Sequence, residues 1–137
     1  MSTLANLVIN DGQATPVAHT FNPAYQTAEL VKWVDRSGQI VAAFPEISLG
    51  RRYANKQRAA TKETLKVVVP VLENTSPSTT TGIPPAPTVA YEILFNLEVV
   101  RPTRTDQAKM NDAFAFFANA LSNALIKGEL KDSDIIM

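Results

Sequence analysis

Lys62, Thr64 and Lys66 alternate with Leu65, Val67 and Val69. They close a stretch in which Arg51, Arg52, Lys56, Arg58, Lys62 and Lys66 are opposed only by Glu63. The chain as a whole is neutral, with 13 Lys and Arg against 13 Asp and Glu, so the cations are concentrated rather than abundant. No Lys or Arg precedes Lys32, and the tail after Gly128 carries Glu129, Asp132 and Asp134 against Lys131. A basic segment within a neutral chain predicts a local anion-facing surface.

The remaining reactive residues do not assemble into a catalytic set. His19 is the single histidine. It lies in a strand-like stretch with no partner group placed near it by any motif, and it reads as a satisfied or solvated side chain. With no cysteine, disulfides, thiolate metal sites and cysteine nucleophiles are excluded, and one histidine leaves no zinc spacing. Gly38, Gly50 and Gly82 form neither a phosphate loop nor a dinucleotide fingerprint. Glu92 and Glu98 share a strand face but have the pattern of solvated carboxylates. An enzyme built on them would have to lose all turnover when both become Gln.

The elements that position these residues are strands, then helices. Leu7-Val8-Ile9 followed by Asn10-Asp11-Gly12 predicts a strand and a hairpin turn, because glycine accepts positive φ without strain. A second strand is expected over Thr15 to Phe21, broken by Asn22-Pro23. Leu30 to Val34 reads as a third strand and Ile40 to Leu49 as a fourth. Pro45 in the fourth requires an edge or a bulge, since it has no N–H to donate. Gly50 to Thr61 is expected to be a loop or a frayed strand end.

Two clearer strands follow. Over Lys62 to Val69, the alternation puts Lys62, Thr64 and Lys66 on a polar face. Over Tyr91 to Val100, Tyr91, Ile93, Phe95, Leu97 and Val99 take one face, and Glu92, Leu94, Asn96 and Glu98 take the other. Residues 73–88 between them carry Pro77, Pro84, Pro85 and Pro87 among Ser and Thr, which predicts a long hairpin loop. After Pro102 the period changes. Thr105 is expected to cap a helix, with Asp106 in its first turn. Met110, Phe114, Phe117, Leu121 and Leu125 then recur at helical spacing, with a bend near Ser122-Asn123 and a stop at Gly128.

These segments predict a single α+β domain over residues 1–137. It has an N-terminal hairpin over 1–22, an antiparallel sheet over 29–101 and helices over 105–131. No apolar run is long enough to cross a bilayer, and the first residues lack a signal-peptide layout. The apolar stripe of the helix looks like a surface for a second subunit as well as for its own sheet.

The order of these features resembles the coat proteins of single-stranded RNA bacteriophages, the leviviruses. The resemblance is carried by Trp33 after Leu30-Val31-Lys32, by Thr64-Leu65-Lys66-Val67-Val68-Val69-Pro70, and by Asn96-Leu97-Glu98 leading to Pro102. Thr105-Asp106 opening the final helix, the Thr/Pro loop and the closing helices complete it. It implies an N-terminal hairpin, a five-stranded antiparallel sheet and two C-terminal helices. Two subunits would join their sheets into one of ten strands, each subunit's helices lying over the other's sheet. It also implies a quasi-equivalent icosahedral shell assembled in the bacterial cytoplasm, and a virion protein with no cofactor. The implied partners are a second copy of the chain, a single-stranded genomic RNA hairpin at the replicase start, and the phage maturation protein.

Carried onto this sequence, the resemblance makes Ser48, Lys62, Thr64, Lys66, Leu94, Asn96 and Glu98 RNA-facing. Met110, Phe114, Phe117 and Leu121 become dimer contacts. Thr79, Gly82, Pro84 and Pro85 fall in the loop between dimers. Lysines would neutralise phosphates, and hydroxyls would bond the base edges of unpaired nucleotides. The sequence departs from the pattern at Leu94, where several relatives place a base-stacking tyrosine. It departs again at Glu46, where a small hydroxyl residue is common, and at Gly50, where a basic one can stand. It is also longer between Gly50 and Thr61. A small dimeric RNA-binding protein that forms no shell is the competing reading.

Overall fold

The connection after the first strand is a loop over 11–17 organised by one carboxylate. It is longer than the tight turn that Asn10-Asp11-Gly12 suggests, and Gly12 is not at positive φ. Asp11 Oδ1 accepts the amides of Gln13 at 3.2 Å and Val17 at 2.9 Å, satisfying backbone donors that the loop would otherwise leave open. The loop joins β1 (Leu7–Asn10) to β2 (Ala18–Gln26). The computed structural model describes residues 2–73, 82 and 85–137. The chain divides into two units, Met1–Val100 and Arg101–Met137.

The first unit is one antiparallel sheet in the sequential order β1 to β6, with β3 over Leu30–Val34, β4 over Glu46–Arg52, β5 over Ala60–Leu72 and β6 over Val89–Pro102. The hairpin strands are continuous with the other strands, so the sheet has six strands. Asn22-Pro23 does not end β2, as the sequence suggested; the strand runs on to Gln26 and absorbs the proline in a bulge between Pro23 and Tyr25. The expected start of β4 at Ile40 is also displaced. Val41–Ala43 forms a single 3-10 turn, and β4 begins after Pro45, whose carbonyl accepts the Asp35 amide at 3.0 Å. Pro45 therefore needs no place in the ladder. The basic stretch is strand as far as Arg52 and again from Ala60.

Register sets the two faces. Trp33 pairs with Ile47 and Ile47 with Val67, while Lys32 pairs with Ser48 and Ser48 with Lys66. Directly paired residues point to the same side of a sheet, so Trp33, Ile47 and Val67 share one face and Lys32, Ser48 and Lys66 the other. Alternation adds Leu30 and Val34 to the second face and Arg51 with Glu63 to the first. The core lies along β2, β3 and β4, where Phe21, Val31, Val34 and Ile47 are buried with Ala43 of the 3-10 turn. Each large aliphatic side chain there contributes about 1.5–3 kcal/mol. Across β6 the apolar set is open: Tyr91, Ile93 and Phe95 are all exposed.

The second unit holds α1 (Gln107–Ser122) and α2 (Ala124–Asp132). The cap of α1 is Asp106, whose Oδ1 accepts the Lys109 amide at 2.7 Å, and not Thr105. The carboxylate adds charge complementarity to the N-terminus that a hydroxyl lacks. The bend falls at Asn123, whose Oδ1 caps α2 through the Leu125 amide at 3.0 Å. Gly128 lies inside α2 rather than ending it, and the left-handed cap is Ser133 at φ 56°. Neither helix has a buried residue.

His19 ties three segments of the first unit together. Its Nδ1 lies 2.8 Å from Asp35 Oδ2 and its Nε2 lies 3.3 Å from Asp11 Oδ2. Both ring nitrogens face acceptors, and only the imidazolium can donate from both. The Asp35 hydrogen bond first, then that of Asp11, raises the His19 pKa above 6.5. Burial pushes Asp35 up, but the His19 bond and the Ser37 amide outweigh it and hold Asp35 below 3.8. The Val17 amide is the largest cause holding Asp11 below 3.8. The imidazolium's contribution is complete below 6.5 and is lost as pH rises through its raised folded value. The carboxylates' contribution is present above 3.8 and lost as pH falls through their depressed folded values. Thermal unfolding across this range should show highest stability between these limits, with a fall on the alkaline side that His19→Ala abolishes. An identical alkaline fall in the variant would refute the clamp.

Candidate nucleic-acid interface

The polar face is built from consecutive ladder rows. One row runs Tyr25, Lys32, Ser48, Lys66 across β2 to β5, and the next runs Leu30, Gly50, Thr64. A third pairs Arg52 with Lys62. Neighbouring strands lie about 4.8 Å apart, so each row presents a strip of polar side chains to one side. Of the residues carried from the sequence, Ser48, Lys62, Thr64 and Lys66 fall together here. Glu98 joins them, because its Oε2 lies 2.7 Å from Lys62 Nζ. Alternation along β6 then puts Asn96 and Leu94 on the same side.

Two of the cations are already partnered. Lys62 is bound to Glu98, and Lys32 is bound to Glu46 at 2.8 Å. All four side chains are roughly one-third to one-half exposed, so each pair contributes under about 1 kcal/mol. Lys66 and Arg52 are exposed and have no carboxylate partner among the described residues. They are therefore the cations most available to an incoming anion. Alternation along β4 explains the presence of Glu46 on this face, where the sequence departs from a small hydroxyl residue: it neutralises Lys32.

Between these rows lies a depression of about 350 Å³ lined by Glu29, Leu30, Gly50, Arg51, Arg52, Lys62 and Thr64. Gly50 contributes no side chain to it. A Cβ there would meet Leu30 Cδ1 and the Thr64 carbonyl oxygen at 3.9 Å, ordinary contact distances. The absent side chain thus leaves open space rather than relieving a clash. Arg51 donates from Nη1 to the Tyr53 hydroxyl at 3.5 Å, while its buried Nε has no partner among the described residues.

The sequence did not place Lys32, Arg52 or Tyr25 on this face. Lys32 and Arg52 follow from alternation once β3 and the full length of β4 are known. Tyr25 had no usable signal, because the bulge that sets its side is invisible in the residue pattern. Of the candidate dimer contacts, Phe114, Phe117 and Leu121 are exposed and Met110 is half-buried. Of the candidate loop contacts, Thr79 and Pro84 lie outside the described residues. Gly82 has φ 68°, the left-handed region that favours glycine, and Pro85 is exposed.

A two-faced antiparallel sheet followed by two capped helices is the frame that carries these side chains. Residues 2–134 match the levivirus coat protein family, and the chain belongs to it. Among solved structures, the chain is similar to a virus-like particle of bacteriophage ESE058. The two share 28% identity over 99% of this chain and 100% of that one, with a TM-score of 0.88. A virus-like particle of bacteriophage NT-214 has 24% identity over 99% and 100% of the two chains, with a TM-score of 0.85. The capsid of bacteriophage GA, at 16% identity over 96% of each chain and a TM-score of 0.70, shares the fold. No curated protein sequence matches the chain.

The Lys62–Glu98 pair yields a test of the face's electrostatics. Glu98→Gln removes a negative charge and releases Lys62 to bind phosphate, so RNA affinity should rise and its salt dependence should steepen. Filter binding of single-stranded RNA across a salt series reads both, and weaker binding by the variant would count against this face.

Proposed function

We propose that the chain is the subunit of an icosahedral shell, formed from homodimers, that packages single-stranded RNA against its polar sheet face. The observation that carries this reading is an unlike-faced sheet ending in a long, open strand. β6 spans 14 residues at the end of the sheet order and leaves Tyr91, Ile93 and Phe95 exposed. A long, apolar, unpaired edge is a template for a further strand. A second copy of β6 would extend the sheet to a continuous one, and a partner's helices would cover the apolar set. Phe114, Phe117 and Leu121 form a stripe suited to that cover.

In this reading the opposite face turns inward to RNA. Lys66, and Lys62 when released from Glu98, neutralise phosphates. Ser48, Thr64 and Asn96 bond base edges, and Leu94 contributes apolar contact in place of aromatic stacking. Repression through a genomic RNA hairpin, contact with a maturation protein and assembly in a bacterial cytoplasm belong to the same reading. So does a role for the loop holding Thr79, Gly82, Pro84 and Pro85 at contacts between dimers. The family membership and the virus-like particle formed by the ESE058 relative support assembly.

Electron microscopy of the expressed protein should show closed particles containing RNA. Lys66→Ala should lower RNA affinity and reduce the salt slope by about 0.7, the share of one phosphate on a single strand, with assembly intact. Soluble dimers without particles at any salt concentration would overturn the shell and favour a small RNA-binding dimer. Phe117→Ala should weaken the dimer by about 3–5 kcal/mol, the cost of deleting a buried phenyl group. Sedimentation equilibrium measures this, and an unchanged dimer constant would remove the helix stripe from the interface.

A further inference from the structure

We infer that Tyr25 is a stacking platform for an unpaired base of single-stranded RNA, an inference that rests on the RNA-facing role proposed for the polar sheet face. The argument starts from the bulge in β2. Asn22 pairs with Val34 and Pro23 with Trp33, but after the bulge Tyr25 pairs with Lys32 and Gln26 with Val31. Had the first register continued, Tyr25 would have stood opposite Val31, on the buried apolar side. The single extra residue moves it to the side of Lys32, Ser48 and Lys66. Pro23 explains why the ladder is interrupted here, since it has no N–H to donate. It does not require an aromatic ring to follow on the wet side.

The surroundings suit a nucleotide. Tyr25 is 54% exposed, although its ring would gain from burial. It heads the row that continues through Lys32 and Ser48 to Lys66. β1 pairs with β2 only as far as Phe21, so that strand does not cover the outer edge beside Tyr25. An aromatic face next to a polar row ending in a free cation matches how sequence-tolerant single-strand sites are built: charge follows the backbone and rings stack the bases. The other exposed tyrosines do not fit as well. Tyr53 shares a hydrogen bond with Arg51, which pairs with Glu63 rather than with the Lys62 row. Tyr91 alternates with Ile93 and Phe95 on the apolar side.

The platform also addresses the departure at Leu94. A face that lacks an aromatic on β6 would carry one on β2 instead, and would grip an RNA strand toward the opposite edge of the sheet.

The test uses the assembled, RNA-filled protein and the purified protein titrated with labelled single-stranded oligoadenylate. Ultraviolet cross-linking of the particles should attach nucleotide to the tryptic fragment ending at Lys32, whose sole tyrosine is Tyr25. Tyr25→Ala should weaken oligoadenylate binding by roughly fivefold to a hundredfold without changing the salt slope. Tyr25→Trp should keep it. Lys66→Ala serves as the reference, because it should lower both affinity and slope. Normal binding by Tyr25→Ala together with an uncross-linked fragment, while Lys66→Ala binds weakly, overturns the platform and leaves the RNA-facing role standing. Normal binding by all the variants overturns that role as well. If Tyr25→Ala fails to assemble, the cross-link in the unaltered protein decides.

Discussion

Strand register across β3, β4 and β5 is the constraint on which the rest of this molecule depends. Lys32–Ser48–Lys66 and Trp33–Ile47–Val67 are adjacent rows of the same ladders. A slip of one residue in any pairing would exchange the two sets for that strand, burying an ammonium group and wetting a valine. Both outcomes are costly, since burying an unpaired charge is worse than losing the apolar contact. The sheet therefore fixes its own polarity, and every candidate contact on the polar side inherits its position from that choice.

The polar side is less basic than its sequence implied. Concentrating Arg51 to Lys66 in a neutral chain suggests a strongly positive surface, but the fold returns Glu98 to Lys62 and Glu46 to Lys32. What remains is a lightly charged face with Lys66 and Arg52 as its open cations. In the proposed role, such a face would hold a polyanion through several weak contacts instead of a single deep site, which suits the packing of long RNA in many local arrangements.

Much of this was legible from residue patterns, and what was missed has a common cause. The β5 and β6 faces, the helix stripe and the bend near Ser122-Asn123 follow from periodicity and turn chemistry. The continuation of β2 past Pro23, the 3-10 turn before β4 and the choice of Asp106 over Thr105 as cap depend on which local geometry the neighbouring strand or helix makes available. The ion pairs belong to the same group. Lys62 and Glu98 are far apart in sequence, and only the sheet order brings them together. Of the two states the sequence allows for His19, satisfied or solvated, the structure has the first, and its two carboxylates sit in loops that the residue pattern gives no reason to join.

Asn123 has an unusual double duty. Its extended backbone, with ψ 133°, ends α1, and its side chain starts α2. The two helices thus meet at a joint one residue long, with no linker to take up slack. The angle between the two rods is set by a single pair of backbone dihedrals. Rotation about ψ of that residue would also draw its Oδ1 away from the Leu125 amide, so the bond that starts α2 holds the joint at its angle.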